Sequence, residues 1–186
     1  MKKVISSLLV FIMVVSLMPI RVFAAQAERP TFSIESTRAK QNSTVSVEVK
    51  VANNPGIISA QLNFTFDDAL TLVGAVQGEA FEDLPLTMPA KLDRGEPMKG
   101  SAKFMWSNAD ISESGIKDGV ILTLTFEVSE SAVEGKDYKI ALECTDCCDR
   151  SAEDIETTTN DGYISIISYL PGDVTADEKI TTKDVI

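Results

Sequence analysis

Six positions near the C-terminus have the residue types and spacing of a loop that binds a hard cation. Ca²⁺ takes six to eight oxygen ligands, and a twelve-residue loop supplies them at regular intervals. Side-chain oxygens stand at loop positions 1, 3, 5, 9 and 12, and a main-chain carbonyl at position 7 completes the set: Asp173, Thr175, Asp177, Thr181, Asp184 and the carbonyl of Lys179. The spacing predicts a calcium site, in which Thr181 acts directly or through water. The alternative is an acidic, solvated tail without metal.

Three cysteines within five residues form the second cluster with chemical potential. Cys144 continues the alternation of Ile140 and Leu142, which predicts a buried, hydrophobic role for it. Cys147 and Cys148 are predicted to lie in a loop beyond that strand, either free, oxidised or joined to each other. A zinc site built on these thiols needs an acidic residue as its fourth ligand, so a structural or incidental role is favoured over metal binding.

The sequence contains no histidine. This excludes Ser-His-Asp and Cys-His catalysis and every histidine-ligated zinc or haem site. Acidic residues are plentiful, but no two of them are singled out as a catalytic pair, and Asp67 and Asp68 are better explained as a turn. We therefore predict that the protein is not an enzyme and has no catalytic residues.

The N-terminus reads as a secretory leader. Lys2 and Lys3 precede a mostly apolar stretch over residues 4–20, and small residues follow at Ala24 and Ala27, where cleavage is expected. The alternative, an uncleaved membrane anchor, is disfavoured because the apolar stretch is short for a spanning helix and is interrupted near its end. We predict a signal peptide over residues 1–27, a secreted protein, and no membrane insertion after cleavage.

The charge of the mature chain limits its partners. The leader carries three basic residues and no acidic one, so its removal takes the net charge from −11 to −14. Such a surface repels phosphate backbones and anionic lipid. Nucleic acid and membrane surfaces are thus excluded as expected partners.

The elements that must position these residues are strands. Apolar and polar residues alternate over residues 45–51, 58–66, 122–128 and 138–144, and turn residues separate these segments. Period-two alternation predicts antiparallel sheets with one buried and one wet face. We predict an all-β domain over residues 28–168, an antiparallel β-sandwich with jelly-roll topology and about nine strands. Residues 79–100 are predicted to be its least regular part.

Aromatic residues raise the question of carbohydrate binding. Trp106 shares its strand face with Ala102 and Phe104, which favours a place in the core over sugar stacking. Tyr163 and Tyr169 alternate with the inward Ile164 and Ile166, so we expect them to be exposed. A carbohydrate-binding module that anchors the protein to a polysaccharide remains the alternative function.

Several blocks resemble the cohesin domain family in their order and spacing. Residues 54–68, 119–128 and 161–166 are similar to its early strand pair, its later strand and its closing strand. The resemblance implies a nine-stranded jelly roll that binds dockerins through one sheet face and assembles extracellular polysaccharide-degrading complexes.

The C-terminal loop resembles the first calcium loop of a dockerin, the module that binds cohesins. It implies a linker over residues 169–172 and a truncated dockerin-like segment over residues 173–186, in which Thr182 and Lys183 contact a cohesin partner. Thr175 and Glu178 depart from the family, which has Asn or Asp and Gly at these positions. Glu178 in the sharp turn is expected to lower calcium affinity.

Overall fold

The computed structural model describes residues 29–108 and 116–168 of the chain. The predicted signal peptide over residues 1–27, the linker and the whole dockerin-like segment lie outside the described residues. So do all six predicted calcium ligands, the predicted contact residues Thr182 and Lys183, and Tyr169.

The described residues form eleven strands and almost no helix. The strands are β1 (Thr31–Ile34), β2 (Thr37–Ala39), β3 (Thr44–Ala52), β4 (Ile57–Phe66), β5 (Leu70–Gln77), β6 (Leu86–Thr87), β7 (Ser101–Ser107), β8 (Gly119–Val128), β9 (Asp137–Asp149), β10 (Thr158–Asn160) and β11 (Gly162–Ile166). A 3₁₀ turn at Glu79–Phe81 and a single-turn helix α1 (Ala90–Asp93) interrupt them. Alternation predicts about nine strands and does not reveal the short strands β2, β6 and β10. These strands have too few residues for a period to be detected.

The strands build two sheets that pack face to face. The five-stranded sheet has the order β10-β1-β3-β8-β5, and the six-stranded sheet has the order β2-β11-β9-β4-β7-β6. All neighbours are antiparallel except β1 with β10 and β2 with β11, which are parallel. The predicted all-β sandwich of jelly-roll type is confirmed, with mixed rather than purely antiparallel sheets.

The core lies between the two sheets, where the inward residues of each strand meet. Phe66 of β4 and Phe126 of β8 contact each other across this layer, with ring centroids 5.1 Å apart in an edge-to-face arrangement. Such pairs add to the free energy of burying the rings. The alternation in the sequence therefore translates directly into one continuous apolar layer.

The chain changes sheets directly after its first strand. A strand over residues 31–36 is expected from the sequence, but β1 ends at Ile34, and β2, which begins at Thr37, belongs to the other sheet. The chain thus crosses from one layer to the other within residues 35–36. Alternation does not show this crossing, since both strands keep an apolar residue on the core side.

The irregular segment over residues 79–100 is held by a few specific contacts. Leu72 and Met98 exchange both backbone hydrogen bonds at 2.9 Å, and Phe81 packs its ring 5.6 Å from that of Trp106. This segment lies along β5 and β7 and closes that side of the sandwich.

Candidate docking surface

The outward side chains of β4 form a row without charge in the middle of the six-stranded sheet. The row consists of Ser59, Gln61, Asn63 and Thr65, which are half-buried or exposed and alternate with core residues. On the neighbouring strand β7 the outward residues are Ser101, Lys103, Met105 and Ser107, all exposed. We call the outward face of β9, β4 and β7 the six-stranded face.

Hydrogen bonds tie the centre of this face across two strands. Gln61 Nε2 donates to Thr145 Oγ1 at 2.5 Å, and Asn63 Nδ2 donates to the same oxygen at 3.4 Å. Asn63 Oδ1 is buried and has no hydrogen-bond partner among the described residues. A buried acceptor without a donor is costly to the folded state.

Charges are distributed differently on the opposite face. On the five-stranded sheet, Lys50 forms ion pairs with Glu35 at 2.7 Å and with Glu48 at 3.0 Å. These contacts lower the pKa of Glu35 and raise that of Lys50, chiefly through their mutual hydrogen bond. The centres of protein interfaces are depleted of charged residues. Because the β4 row at its centre is uncharged, the six-stranded face is the better candidate for docking a protein.

Two partly exposed side chains, one methionine and one tyrosine, lie on the outward side of the six-stranded sheet. Met105 is 41% exposed on β7, and Tyr163 is 40% exposed on β11. Methionine and tyrosine are both enriched at protein interfaces. The prediction that Tyr163 is exposed is confirmed.

Trp106 lies in the core. It is fully buried and packs against Phe81 and Phe104, and its Nε1 is buried without a hydrogen-bond partner among the described residues. The preference for a core position over sugar stacking is confirmed. Asp67 is likewise a turn residue, since its Oδ1 accepts a hydrogen bond from Ala69 N at 2.9 Å and its carbonyl accepts one from Leu70 N.

The predicted placement of the cysteines is wrong. Strand β9 continues to Asp149, so Cys147 and Cys148 lie in the strand rather than in a loop. The register to β4 shifts between Gln61 and Leu62, so that β9 carries one extra residue there. A bulge of this kind reverses the alternation beyond it. Cys147 is therefore the buried cysteine, and Cys144 is only half-buried.

None of the three cysteines forms a disulfide. Cys144 and Cys147 interact with each other, whereas Cys148 does not belong to this pair. A hydrogen bond between the Cys144 and Cys147 thiols lowers the pKa of Cys144, and the same bond together with burial raises that of Cys147. Cys148 instead faces Asp154 and Asp146. Burial and these carboxylates raise its pKa to about 11.

Known proteins with this architecture identify the family. The cohesin domain model matches residues 30–166, which is most of the chain, so the protein belongs to the cohesin domain family. Cohesin domains bind other proteins and are not catalytic. No curated protein sequence matches the chain significantly.

Three solved structures show the extent of the likeness. The third cohesin of ScaC from Acetivibrio cellulolyticus, in complex with the ScaB dockerin, is 27% identical with a TM-score of 0.65, covering 75% of this chain and 99% of that one. A Clostridium thermocellum OlpC cohesin–dockerin complex is 20% identical (TM-score 0.64; 77% and 97% covered). A non-cellulosomal cohesin from Archaeoglobus fulgidus is 19% identical (TM-score 0.62; 76% and 93% covered).

No helix among the described residues is long and apolar enough to cross a membrane. The predicted calcium ligands and the residues Thr182 and Lys183 stay predictions, because they lie outside the described residues. The contact residues of the sandwich were not predicted from the sequence. Alternation indicates that Gln61 and Asn63 point outward, but only the sheet order shows that they occupy a central strand.

Proposed function

We propose that the sandwich binds a dockerin through the six-stranded face and serves as an adaptor rather than an enzyme. The observation that carries this proposal is the uncharged β4 row in the middle of the sheet, flanked by the exposed Met105. An uncharged central row beside an exposed methionine suits another folded protein better than a small molecule.

The family supports the choice of partner. The 27% identical cohesin from Acetivibrio cellulolyticus is described in complex with a dockerin. Because a non-cellulosomal cohesin shares the fold, membership of a cellulosome needs support beyond the fold itself. We infer an extracellular polysaccharide-degrading assembly from the predicted leader and tail.

The tail extends the proposal to a second partner. Asp173, Thr175, Asp177, Lys179, Thr181 and Asp184 would hold calcium, and Thr182 and Lys183 would contact a cohesin. The protein would then receive a dockerin on the sandwich and offer a dockerin-like segment to another scaffold. Secretion through the predicted leader would bring it to both partners.

Calorimetry against a panel of purified dockerins tests the sandwich. We expect at least one dockerin to bind, and Met105→Arg to weaken that binding at least about tenfold, equivalent to about 1.4 kcal/mol. Val76→Arg is the matched control, because Val76 is 67% exposed on β5 of the other sheet. Equal losses in both variants, or binding to no dockerin, would refute docking on the six-stranded face.

Thermal unfolding with calcium and with chelator tests the tail. In a protein whose dockerin-like module is completed, we expect calcium to raise the unfolding temperature and Asp173→Ala to blunt that response, because a bound ligand stabilises the folded form. An equal calcium response in the Asp173→Ala variant would remove this loop as the calcium site.

Polysaccharide anchoring is the second candidate, favoured by the exposed Tyr163 ring on β11. A pull-down on insoluble cellulose separates the two functions. Polysaccharide anchoring would become the favoured function if the protein is retained on cellulose, Tyr163→Ala abolishes that retention, and no dockerin is captured.

A further inference from the structure

The end of β9 folds back on the segment after it and forms a short hairpin. Ile155 N donates to the carbonyl of Cys147 at 2.9 Å, and Asp149 N donates to the carbonyl of Glu153 at 3.1 Å. Between these bonds Cys148 and Asp154 stand directly opposite each other as a bridge pair. Residues in such a pair have their side chains close together on one side of the ladder.

The turn of this hairpin is held by its own contacts. Asp149 Oδ1 accepts hydrogen bonds from Ser151 N at 2.8 Å and from Glu153 N at 3.3 Å. Ala152 adopts a left-handed conformation with φ of 57°. The backbone therefore fixes the position of Asp154 relative to Cys148 before any ligand binds.

A third ligand joins this pair from the same strand. Cys148 Sγ lies 3.3 Å from Asp154 Oδ1 and 3.9 Å from Asp146 Oδ1. The three ligand atoms all lie within 4.8 Å of one another. In a tetrahedral zinc site the sulfur–oxygen separation is about 3.5 Å, given Zn–S near 2.3 Å and Zn–O near 2.0 Å. The two measured sulfur–oxygen separations lie on either side of that value.

We propose that Cys148, Asp146 and Asp154 form a binding site for a thiophilic divalent cation, with Zn²⁺ as the best fit and water as the fourth ligand. One sulfur and two carboxylate oxygens suit zinc, whereas calcium and magnesium require more oxygens and avoid sulfur. On binding, the Cys148 thiol releases its proton to solvent and its sulfur bonds the metal. The ion joins β9 to the residues after the hairpin turn.

The other two thiols are not part of this set. Cys144 and Cys147 stand opposite Leu62 and Ala60, on the core side of β4, and are paired with each other. Cys148 is opposite Ser59, beyond the bulge. In the sequence the three cysteines form one cluster without an evident role. In the structure the β9 bulge places the side chain of Cys148 beside Asp146 and Asp154. This site does not depend on the proposed docking function.

Titration of the purified, reduced and metal-free protein tests the site, with Zn²⁺ followed by calorimetry and Co²⁺ followed by absorption. We expect one equivalent of Zn²⁺, and a cobalt–thiolate charge-transfer band that oxygen ligands of the acidic tail cannot produce. Cys148→Ser should abolish the band, and Asp154→Asn should weaken Zn²⁺ binding at least about tenfold, as loss of a ligand does.

Cys144→Ser is the matched control, since it removes a neighbouring thiol outside the proposed set, and it should leave affinity and band unchanged. Circular dichroism verifies that each variant is folded, and Asp154→Asn preserves the shape of the side chain if the serine variant unfolds. The proposal is overturned if no cobalt–thiolate band appears, if Cys148→Ser retains it, or if Cys144→Ser removes it.

Discussion

Trp106 is the largest fully buried side chain of the described core, and its edge-to-face contact with Phe81 connects β7 to the 3₁₀ turn. Trp106→Ala leaves a cavity at the junction of the sheet with the irregular segment. Large-to-small changes of this kind cost about 3–5 kcal/mol.

We therefore expect Trp106→Ala to lower the free energy of unfolding by about 3–5 kcal/mol in urea denaturation monitored by circular dichroism. Lys103→Ala, on the exposed side of the same strand, should change it by no more than about 0.5 kcal/mol. A loss of under about 1 kcal/mol for the tryptophan variant would contradict its place in the core.

Asp161 ties the start of β11 to β9 through a charged contact. Its carboxylate accepts a hydrogen bond from Lys139 Nζ at 2.6 Å and another from Leu142 N at 2.8 Å. Both contacts lower the pKa of Asp161, with Lys139 as the larger cause. A lowered folded pKa means that this stabilisation is present above the unfolded pKa and is lost as pH falls through the folded one.

We predict that Asp161→Asn is less stable than wild type at neutral pH. The difference should shrink as pH falls from the unfolded pKa of an aspartate, about 3.9, through the lower pKa of folded Asp161. Asparagine keeps an oxygen for Leu142 N, so the comparison isolates the charge. Urea midpoints measured from pH 7 to pH 2 give the result. A gap that stays constant over this range would show that the charge does not contribute.

At the scale of elements, Gly78 allows the chain to leave β5 in close contact with β8. A Cβ at this position would lie 2.2 Å from the carbonyl oxygen of Val120, and Gly78 N donates to the carbonyl of Ile121 at 2.9 Å. The neighbouring backbone cannot move away without breaking this hydrogen bond. The glycine is required by space rather than by its dihedral angles.

Gly78→Ala should therefore destabilise the sandwich by about 1–3 kcal/mol in chemical denaturation, the range for an overpacked site. Gly74→Ala, within β5, is the control, because the nearest atom there is the Cβ of Thr125 at 3.6 Å, an ordinary contact. Similar effects in both variants would mean that general strand propensity, and not the approach to Val120, determines the cost.

At the scale of the whole molecule, the crossing at residues 35–36 joins the sheets. Strand β1 pairs with β10 in one sheet, and β2 pairs with β11 in the other, although β2 follows β1 directly in the chain and β11 follows β10 directly. Neither sheet can lose these strands without disturbing its counterpart. The two layers should behave as one cooperative unit.

Native-state hydrogen exchange checks this cooperativity. We expect the amides of Leu62 in β4 and Leu124 in β8 to reach the same free energy of opening as denaturant is raised, because both would exchange through global unfolding. Opening of the five-stranded sheet at a clearly lower free energy would show that the sheets unfold separately.

Local pattern was sufficient wherever a strand keeps strict alternation. On β7 it correctly placed Ala102, Phe104 and Trp106 inside, and it indicated the outward row of β4. The absence of histidine and the acidic charge limited the chemistry without reference to any contact. Each of these inferences depends only on the type of a residue or on its neighbours in the sequence.

Pairing between distant segments required the tertiary structure. The β9 bulge exists because of its register with β4, so alternation alone put the wrong cysteine in the core. Likewise, Asp154 faces Cys148 only because the hairpin closes there, and nothing in the residues around either one predicts it. Register and sheet order are determined by partners far away in the chain, and a strand's own period contains no information about them.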